Sequence, residues 1–472
     1  MGGSALPRIA RRAIKALIPI RPIFPVRPMF KVEDMFRAVM RNAAILIGGR
    51  VSNAVLGVAA LGVAGRGLGL QGFGVLVVIH AVAQAVADVA RFQSWQTVLQ
   101  YGAKPLAEGN IADVQRVIRF TCLLDLISAV GGVILGVAVS AVIGPWLHWP
   151  SDAAPAAMLY ATSIAFMVSA TPAGILRLFG RFDLIAGETN VCSIVWLVGG
   201  IWAATSHRGF QGFLLVWWLG ALASFAYMSV CAWIELVRRG VIKGMDLRKG
   251  RLTHGFPGIW RFALATNANC TLGLSFTHVS TLIVGALLNP AQAALWRVAK
   301  LISEAVAAPA EMITSALYPE FARLGSSGDN HALGHLAVRI GVTVGVMATV
   351  LLAITILFGS SALNLAMGEA FVAAAPVMTW LTAAAIVGIW ALPLEPMLIS
   401  TGHANVAVLT RLVVSALYLL SLAPLVGRMG VVGGGIAAVG ASILLGLGMM
   451  IGVMRWYRDP RTGMLAPNNS VS

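Results

Sequence analysis

The chain has 472 residues, of which 58% are hydrophobic and 11% charged, and its formal net charge is +16. A soluble chain of this length needs roughly a quarter of its residues charged, so this composition excludes an ordinary soluble protein. The basic residues are scattered between apolar runs instead of gathering on one polar face, which argues against nucleic-acid binding.

Residues 1–40 form a basic, proline-rich arm. Four basic residues, Arg8 to Lys15, precede prolines at every third position, a spacing that favours polyproline II. Three interpretations of the arm stay open. It contacts anionic headgroups, it is a solvated tail, or it is an extension ahead of a true start at Met29 or Met35. No cleavage site follows an apolar core, so a secretory signal is not predicted.

Twelve apolar segments follow the arm, each long enough to cross a bilayer. No alternating ten-residue pattern recurs, so membrane strands are not predicted. The sequence therefore predicts an all-α polytopic membrane protein. The segments are residues 42–64, 72–94, 119–144, 155–177, 185–205, 210–235, 259–288, 293–317, 336–359, 372–398, 404–426 and 430–454.

Lys and Arg lie mainly in alternate connections, which predicts that both termini are cytoplasmic. The largest basic cluster after the arm lies between the sixth and seventh spans and marks a linker between two halves. The predicted domains are the arm (1–40), an N-terminal six-helix bundle (41–236), the linker (237–257), a C-terminal six-helix bundle (258–456) and a disordered tail (457–472).

The two halves form an internal repeat. The interval from Pro172 to Pro393 equals that from Gly209 to Gly430, and the loop at Gly65 is displaced almost equally from its counterpart at Gly285. Because each half has an even number of spans, the halves are parallel and related by an axis along the membrane normal. They are expected to face a central cavity.

Polar and ionisable side chains form a stripe on two spans that correspond in this repeat. Each stripe lies within about 80° of one helix face, and charged groups in hydrocarbon generally face protein or water. We predict that both stripes line a substrate pathway, although snorkelling toward the helix ends stays open for Arg91, Arg297 and Glu311. The stripes are His80, Gln84, Asp88 and Arg91 in the second span and Arg297, Lys300, Glu304 and Glu311 in the eighth.

Five further polar residues within the spans are candidates for the same pathway, with helix–helix packing as the alternative. No cysteine, histidine or phosphate-loop spacing indicates a metal or a cofactor, and none is expected. The candidates are Arg50, Asn53, Asn267, His278 and Glu395.

Six strings resemble the polysaccharide transporter family, the Wzx-type lipid-linked oligosaccharide flippases of the MOP exporter superfamily. The chain departs from the family pattern at Ser280 and Asn289, where the family often has Asp and Gly. The strings are LGLQGFGV (68–75), GRFDLIA (180–186), TLIVGALLNPAQAALWRVAK (281–300), ALYPEFARL (316–324), MGEAFVAAAP (367–376) and STGHAN (400–405).

The resemblance implies a MATE-like fold and alternating access that moves an undecaprenyl-pyrophosphate-linked oligosaccharide to the periplasmic leaflet of the inner membrane. Arg50, Arg297 and Lys300 are then candidates for contact with the pyrophosphate. The lipid bilayer and this cargo are the expected partners, and the polymerase and glycosyltransferases of the same pathway are candidate partners. A multidrug or cation antiporter of the same fold is the main alternative, and a membrane polymerase or glycosyltransferase is the enzymatic one.

The predicted orientation can be tested by labelling single cysteines in a variant that lacks the native cysteines. Because Lys243 is predicted inside and Trp149 outside, an impermeant maleimide added to intact spheroplasts should label Trp149→Cys and spare Lys243→Cys. The reverse pattern would contradict the topology.

Overall fold

The computed structural model describes residues 32–144, 153–243, 256–327, 330–401 and 403–458. The predicted polyproline segment, most of the linker and the tail beyond residue 458 lie outside these ranges. The chain divides into two compact units, residues 1–44 and residues 45–472. All contacts below lie within the second unit, which contains both halves.

Most of the described residues are helical, and the helices follow twelve spans. Val32–Ala90 is interrupted at Gly69, whose φ of 66° and ψ of 175° are not helical, which separates α1 (32–68) from α2 (70–90). Phe371 packs against Gly65 and Phe73, on either side of Gly69, as expected where the chain reverses. The other helices are α3 (Ser94–Ala107), α4 (Ile111–Ile143), α5 (Ala153–Tyr160), α6 (Ile164–Met167), α7 (Thr171–Leu178), α8 (Phe182–Thr205), α9 (Gly209–Arg238), α10 (Ile259–Leu287), α11 (Pro290–Ser327), α12 (Asn330–Met367), α13 (Ala375–Trp390), α14 (Leu394–Ser400), α15 (Ala404–Met429) and α16 (Val431–Arg458).

By length and composition alone, nine helical stretches among the described residues could cross a membrane, and together they cover ten of the twelve spans. Ser52–Ala107 counts there as one apolar stretch although the chain reverses at Gly69. The other two are the seventh and eighth spans. Side chains over much of α10 lie outside the described residues, and α11 contains the predicted charged stripe. The prediction of an all-α fold with twelve spans is confirmed.

The internal repeat is visible in the backbone. The fourth span breaks between α6 and α7 beside Pro172, and the tenth breaks between α13 and α14 at Pro393. Gly209 and Gly430, which open α9 and α16, have φ of 59° and 64°. L side chains rarely adopt this left-handed region, which explains why glycine is used at both positions.

Helices pack mainly within each half. In the N-half, α8 lies along α9, and α3 packs on α4 and α7; in the C-half, α13 packs on α11, α12 and α16, and α15 lies along α16. Many apolar side chains on the outer surfaces stay exposed, including Ile134, Leu357 and Leu420. This inversion of the soluble pattern is expected for surfaces that face lipid.

The halves meet at the end of the molecule that contains Gly69, termed the outer end after the predicted orientation. A Cβ on Gly62 would lie 2.5 Å from the carbonyl oxygen of Ala366, and one on Gly74 would lie 2.0 Å from that of Pro290. Backbone of one half therefore touches backbone of the other. These contacts form the outer seam.

The break in the fourth span is held by a carboxylate from the third. Asp125 Oδ2 accepts hydrogen bonds from the backbone N–H of Ala170 (3.0 Å) and Thr171 (2.8 Å) and from Ser169 Oγ (3.2 Å). These amides begin α7 and have no partner within their own helix, and lipid offers none. Asp125 thus caps α7 from a neighbouring helix.

We expect Asp125→Ala to destabilise the purified protein by about 2–3 kcal/mol, because it leaves buried amides unpaired. Leu126→Ala, next to it on the lipid-facing surface, is the matched control, since Leu126 is 60% exposed. Thermal unfolding in one detergent measures both. Equal melting temperatures for the two variants would contradict the capping role.

Candidate functional site

A cavity of about 400 Å³ lies within the N-half. It begins at His80, about 16 Å along α2 from Gly69, and reaches Arg91, about 33 Å along, toward the inner end. The helices α2, α3, α7, α8 and α9 and the break of the fourth span all contribute to its wall. The lining is His80, Gln84, Arg91, Gln93, Trp95, Phe166, Met167, Ser169, Ala170, Pro172, Ala173, Arg177, Glu188, Cys192, Trp196, Trp217, Ala221, Ser224, Phe225 and Met228.

The outer end of this cavity is an aromatic cluster around His80. His80 Nδ1 lies 2.7 Å from Tyr160 Oη, and its ring stands edge-on to Trp196 and Trp217, with centroids 5.4 and 4.9 Å away. The two indoles stack at 4.3 Å. Such packing fixes the imidazole and gives this end of the cavity large, rigid aromatic surfaces.

Two guanidinium groups and one carboxylate lie in the inner part of the cavity. Arg91 Nη2 donates to Met167 O at 2.5 Å, and its Nε has no hydrogen-bond partner among the described residues. Arg177 lies over the Trp95 ring at 4.0 Å, a cation–π contact. Glu188 interacts with Ser224 and lies in the field of Arg91. The cavity thus offers donors for an anion beside flat apolar faces.

His278 of α10 connects this cavity to the charged stripe on α11. His278 Nε2 lies 3.4 Å from Oδ2 of Asp88, a buried residue of the other half. The charges of Lys300, Arg297 and Arg91 all act on His278. Asp88 and Arg91 of the second-span stripe and Arg297 and Lys300 of the eighth-span stripe therefore surround one histidine at the boundary of the halves.

On α11, Arg297 is half-buried and its charge also acts on His80. Lys300 Nζ lies 3.5 Å from Ser280 Oγ, and Glu304, one turn further on, is exposed and acts on Lys300. Ser280 stands where the resembled family often has Asp, and its hydroxyl accepts from the lysine.

The remaining sequence candidates lie elsewhere. Asn53 accepts a hydrogen bond from Ser193 Oγ at 2.7 Å and so links α1 to α8. Asn267 is half-buried on α10, away from the lining of the N-half cavity. Glu395 forms an ion pair with Arg411 in the C-half. The side chains of Arg50 and Glu311 lie outside the described part of the structure.

Sequence reasoning missed most of the cavity lining, including its three tryptophans, Arg177 and Glu188. Trp95, Trp196, Trp217 and Arg177 come from separate helices, and aromatic residues in membrane helices give no pattern that separates a cavity from packing. Glu188, seven residues into α8, is an intramembrane carboxylate, which is a functional signal in itself. No cluster of three metal-ligating side chains occurs among the described residues.

No protein-family model matches the sequence. The inner membrane protein YghQ of Escherichia coli (strain K12) is 31% identical over 350 residues, which cover 72% of this chain and 95% of that protein.

Two solved structures share the fold at low sequence identity. The inward-facing conformation of a multidrug resistance MATE family transporter of the MOP superfamily matches with a TM-score of 0.70 and 13% identity, over 89% of this chain and 99% of that chain. A MOP superfamily transporter from Pyrococcus furiosus, described as having a binding pocket of reverse polarity that suggests a different function, matches with a TM-score of 0.58 and 14% identity, over 89% and 95%. These likenesses establish the MATE-like fold of two six-helix bundles.

The cavity should be open to water from the inner side. In a variant without native cysteines, we expect a small maleimide to label Gln84→Cys and Ser224→Cys in inverted membrane vesicles, since both residues line the cavity. Val78→Cys, on the same helix as Gln84 but fully buried, should stay unlabelled. Equal labelling at positions 78 and 84 would show that this assignment of the cavity is wrong.

Proposed function

Because this chain belongs to the same family as the inner membrane protein YghQ of Escherichia coli and has the fold of MOP-superfamily transporters, we propose that it is an inner-membrane flippase. Its proposed cargo is an undecaprenyl-pyrophosphate-linked oligosaccharide, moved from the cytoplasmic to the periplasmic leaflet for surface polysaccharide synthesis. Transport requires no cofactor of the protein's own in this proposal.

The observation that supports an anionic cargo is the cationic cluster shared by the two halves. Arg91 comes from the N-half and Arg297 and Lys300 from the C-half, and all three lie within electrostatic range of His278. A pyrophosphate is suited to such a site, because charge-assisted hydrogen bonds to guanidinium and ammonium groups are strong in a low dielectric. A site built from both halves can also couple binding to their relative motion.

The N-half cavity suits the sugar part of the cargo. Sugar rings have apolar faces and hydroxyl edges, and this cavity pairs the indoles of Trp95, Trp196 and Trp217 with the polar groups of Gln84 and Glu188. Few convergent polar groups in a largely apolar wall are typical of specific ligand sites. The sugar would lie beside the charges that hold the pyrophosphate.

The outer seam supports alternating access. The halves touch at Gly62 and Gly74 near the outer end, whereas the N-half cavity reaches Arg91 and Arg177 at the inner ends of α2 and α7. A carrier in this state accepts cargo from the inner side and must part the seam to release it. The MATE family transporter that matches this fold with a TM-score of 0.70 is likewise described as inward-facing.

A multidrug or cation antiporter is the second candidate, and the specific observation that favours it is Glu188 among aromatic side chains, an arrangement suited to organic cations. Arg91 and Arg177 in the same cavity oppose it. An enzymatic role has less support, because the described outer connections at Gly69, 206–208 and Gly430 are too short to form a catalytic domain.

Deleting the gene should abolish surface polysaccharide, with intact repeat units on their lipid carrier accumulating in the inner leaflet. The reason is that flipping follows assembly on the lipid and precedes polymerisation. In spheroplasts the accumulated units should resist an externally added lectin or glycosidase. Ready access to the units from outside would refute the assignment, and unchanged polysaccharide with altered toxin sensitivity would indicate the antiporter.

Complementation connects this phenotype to the charged cluster. Lys300→Leu and Glu304→Leu should restore little polysaccharide at near-normal protein abundance. Arg339→Leu, which removes an exposed charge from α12, should restore it fully. If both α11 variants accumulate normally and complement fully, the stripe is not part of the pathway.

A further inference from the structure

A second cavity, of about 300 Å³, lies between α15 and α16 at the inner end of the C-half. A Cβ on Gly448 would lie 2.5 Å from Thr410 Cγ2, and one on Gly452 would lie 2.9 Å from Val406 Cγ1. The two helices therefore approach closely, as small residues one turn apart permit in membranes. Ile451, which is 50% exposed, forms an apolar rim. The result is a narrow groove that faces lipid.

The mouth of this groove is cationic. Arg455 is exposed in the last turns of α16, about 10 Å along the helix from Gly448. His403 precedes α15, and its Nδ1 lies 2.9 Å from Thr401 O, which leaves Nε2 for an outside ligand. Trp456 and Tyr457 follow Arg455, and such aromatic residues concentrate at membrane–water interfaces. The basic residues Arg455 and His403 thus lie at the depth of the lipid headgroups, and the apolar groove lies at the depth of the acyl chains.

The internal repeat allows the inner end of the last helix of the C-half to be compared with its counterpart in the N-half. The interval from Pro172 to Pro393 places Glu235 of the N-half on Trp456 of the C-half. Glu235 forms ion pairs with Arg181, Arg238 and Arg239. The N-half therefore neutralises the basic residues at the inner end of its last helix with its own carboxylate.

At the corresponding position the C-half has Trp456 instead of a carboxylate. Neither Arg455 nor His403 forms an ion pair with another residue that the structure describes, and Glu395 is paired with Arg411. Within the described part of the chain, the positive charge at the mouth therefore has no carboxylate partner.

We propose that this groove binds one anionic phospholipid of the inner leaflet. Its phosphate would contact Arg455 and the Nε2–H of a protonated His403, whose Nδ1–H is taken by Thr401 O, because guanidinium and imidazolium N–H groups match phosphate oxygens. One acyl chain would lie in the groove beside Val406 and Ile451. The lipid takes the place that Glu235 has in the other half, and it joins α15 to α16 at the membrane surface. This site is separate from the transport cavity and does not depend on the proposed cargo.

The test is lipid binding by the purified full-length chain without cargo. Native mass spectrometry and thermal unfolding would compare added phosphatidylglycerol with phosphatidylcholine of the same acyl chains. We expect one saturable phosphatidylglycerol site and a melting temperature raised by that lipid alone. Arg455→Ala should weaken binding about fivefold, the effect of one interfacial arginine near anionic lipid, and Arg455→Lys should retain most of it.

Arg428→Ala is the matched control, because Arg428 is an exposed arginine near the other end of α15. An equal loss in this variant, or equal binding of the two lipids, would overturn the proposal. Glycerol 3-phosphate and inorganic phosphate provide the anion without the acyl chain. Effective competition by either would identify a soluble-anion site and would also overturn it.

Discussion

The cap that Asp125 places on α7 is the contact on which the N-half cavity depends. A helix break inside a bilayer exposes amides that lipid cannot satisfy, and here the third span supplies the acceptor. With the break stable, Met167, Ser169 and Ala170 line the cavity, and Arg177 projects from the second half of the broken span toward Trp95. A continuous fourth helix would present a different face at this depth. One buried carboxylate thus allows a polar cavity in an otherwise apolar bundle.

Much of the fold follows from the sequence, because hydrocarbon allows few backbone solutions. Twelve spans and the repeat were predictable from apolar length and from the matching intervals of Pro172 with Pro393 and of Gly209 with Gly430. The helix breaks at the two prolines and the positive φ angles at the two glycines show that these matching residues are required by the backbone geometry. The domain boundaries stay predictions, since most of the linker lies outside the described residues.

The site was less predictable, because the spacing of residues along one helix does not show which other helices lie beside it. The stripe from His80 to Arg91 could be read from spacing, and the structure places His80, Gln84 and Arg91 on one cavity. Asn53 has the same polar character, yet its amide serves packing against Ser193. Trp196 and Trp217 become a stacked pair only because α8 and α9 lie side by side. Asp125 was overlooked because a lone acid has no periodicity, although its depth alone indicates a partner.

The outer seam has a mechanical consequence. At Gly62 and Gly74 the halves meet through glycine Cα atoms and carbonyl oxygens, so at these two points no side chain has to change rotamer when they separate. The Phe371 ring, which packs against Gly65 and Phe73 of the other half, is the part of the seam that has to unpack. The close approach at the two glycines also makes the seam vulnerable. A single methyl group at either position would overlap a carbonyl oxygen of the opposite half and wedge the seam apart, leaving the transporter with an intact N-half cavity and an outer side that could no longer close.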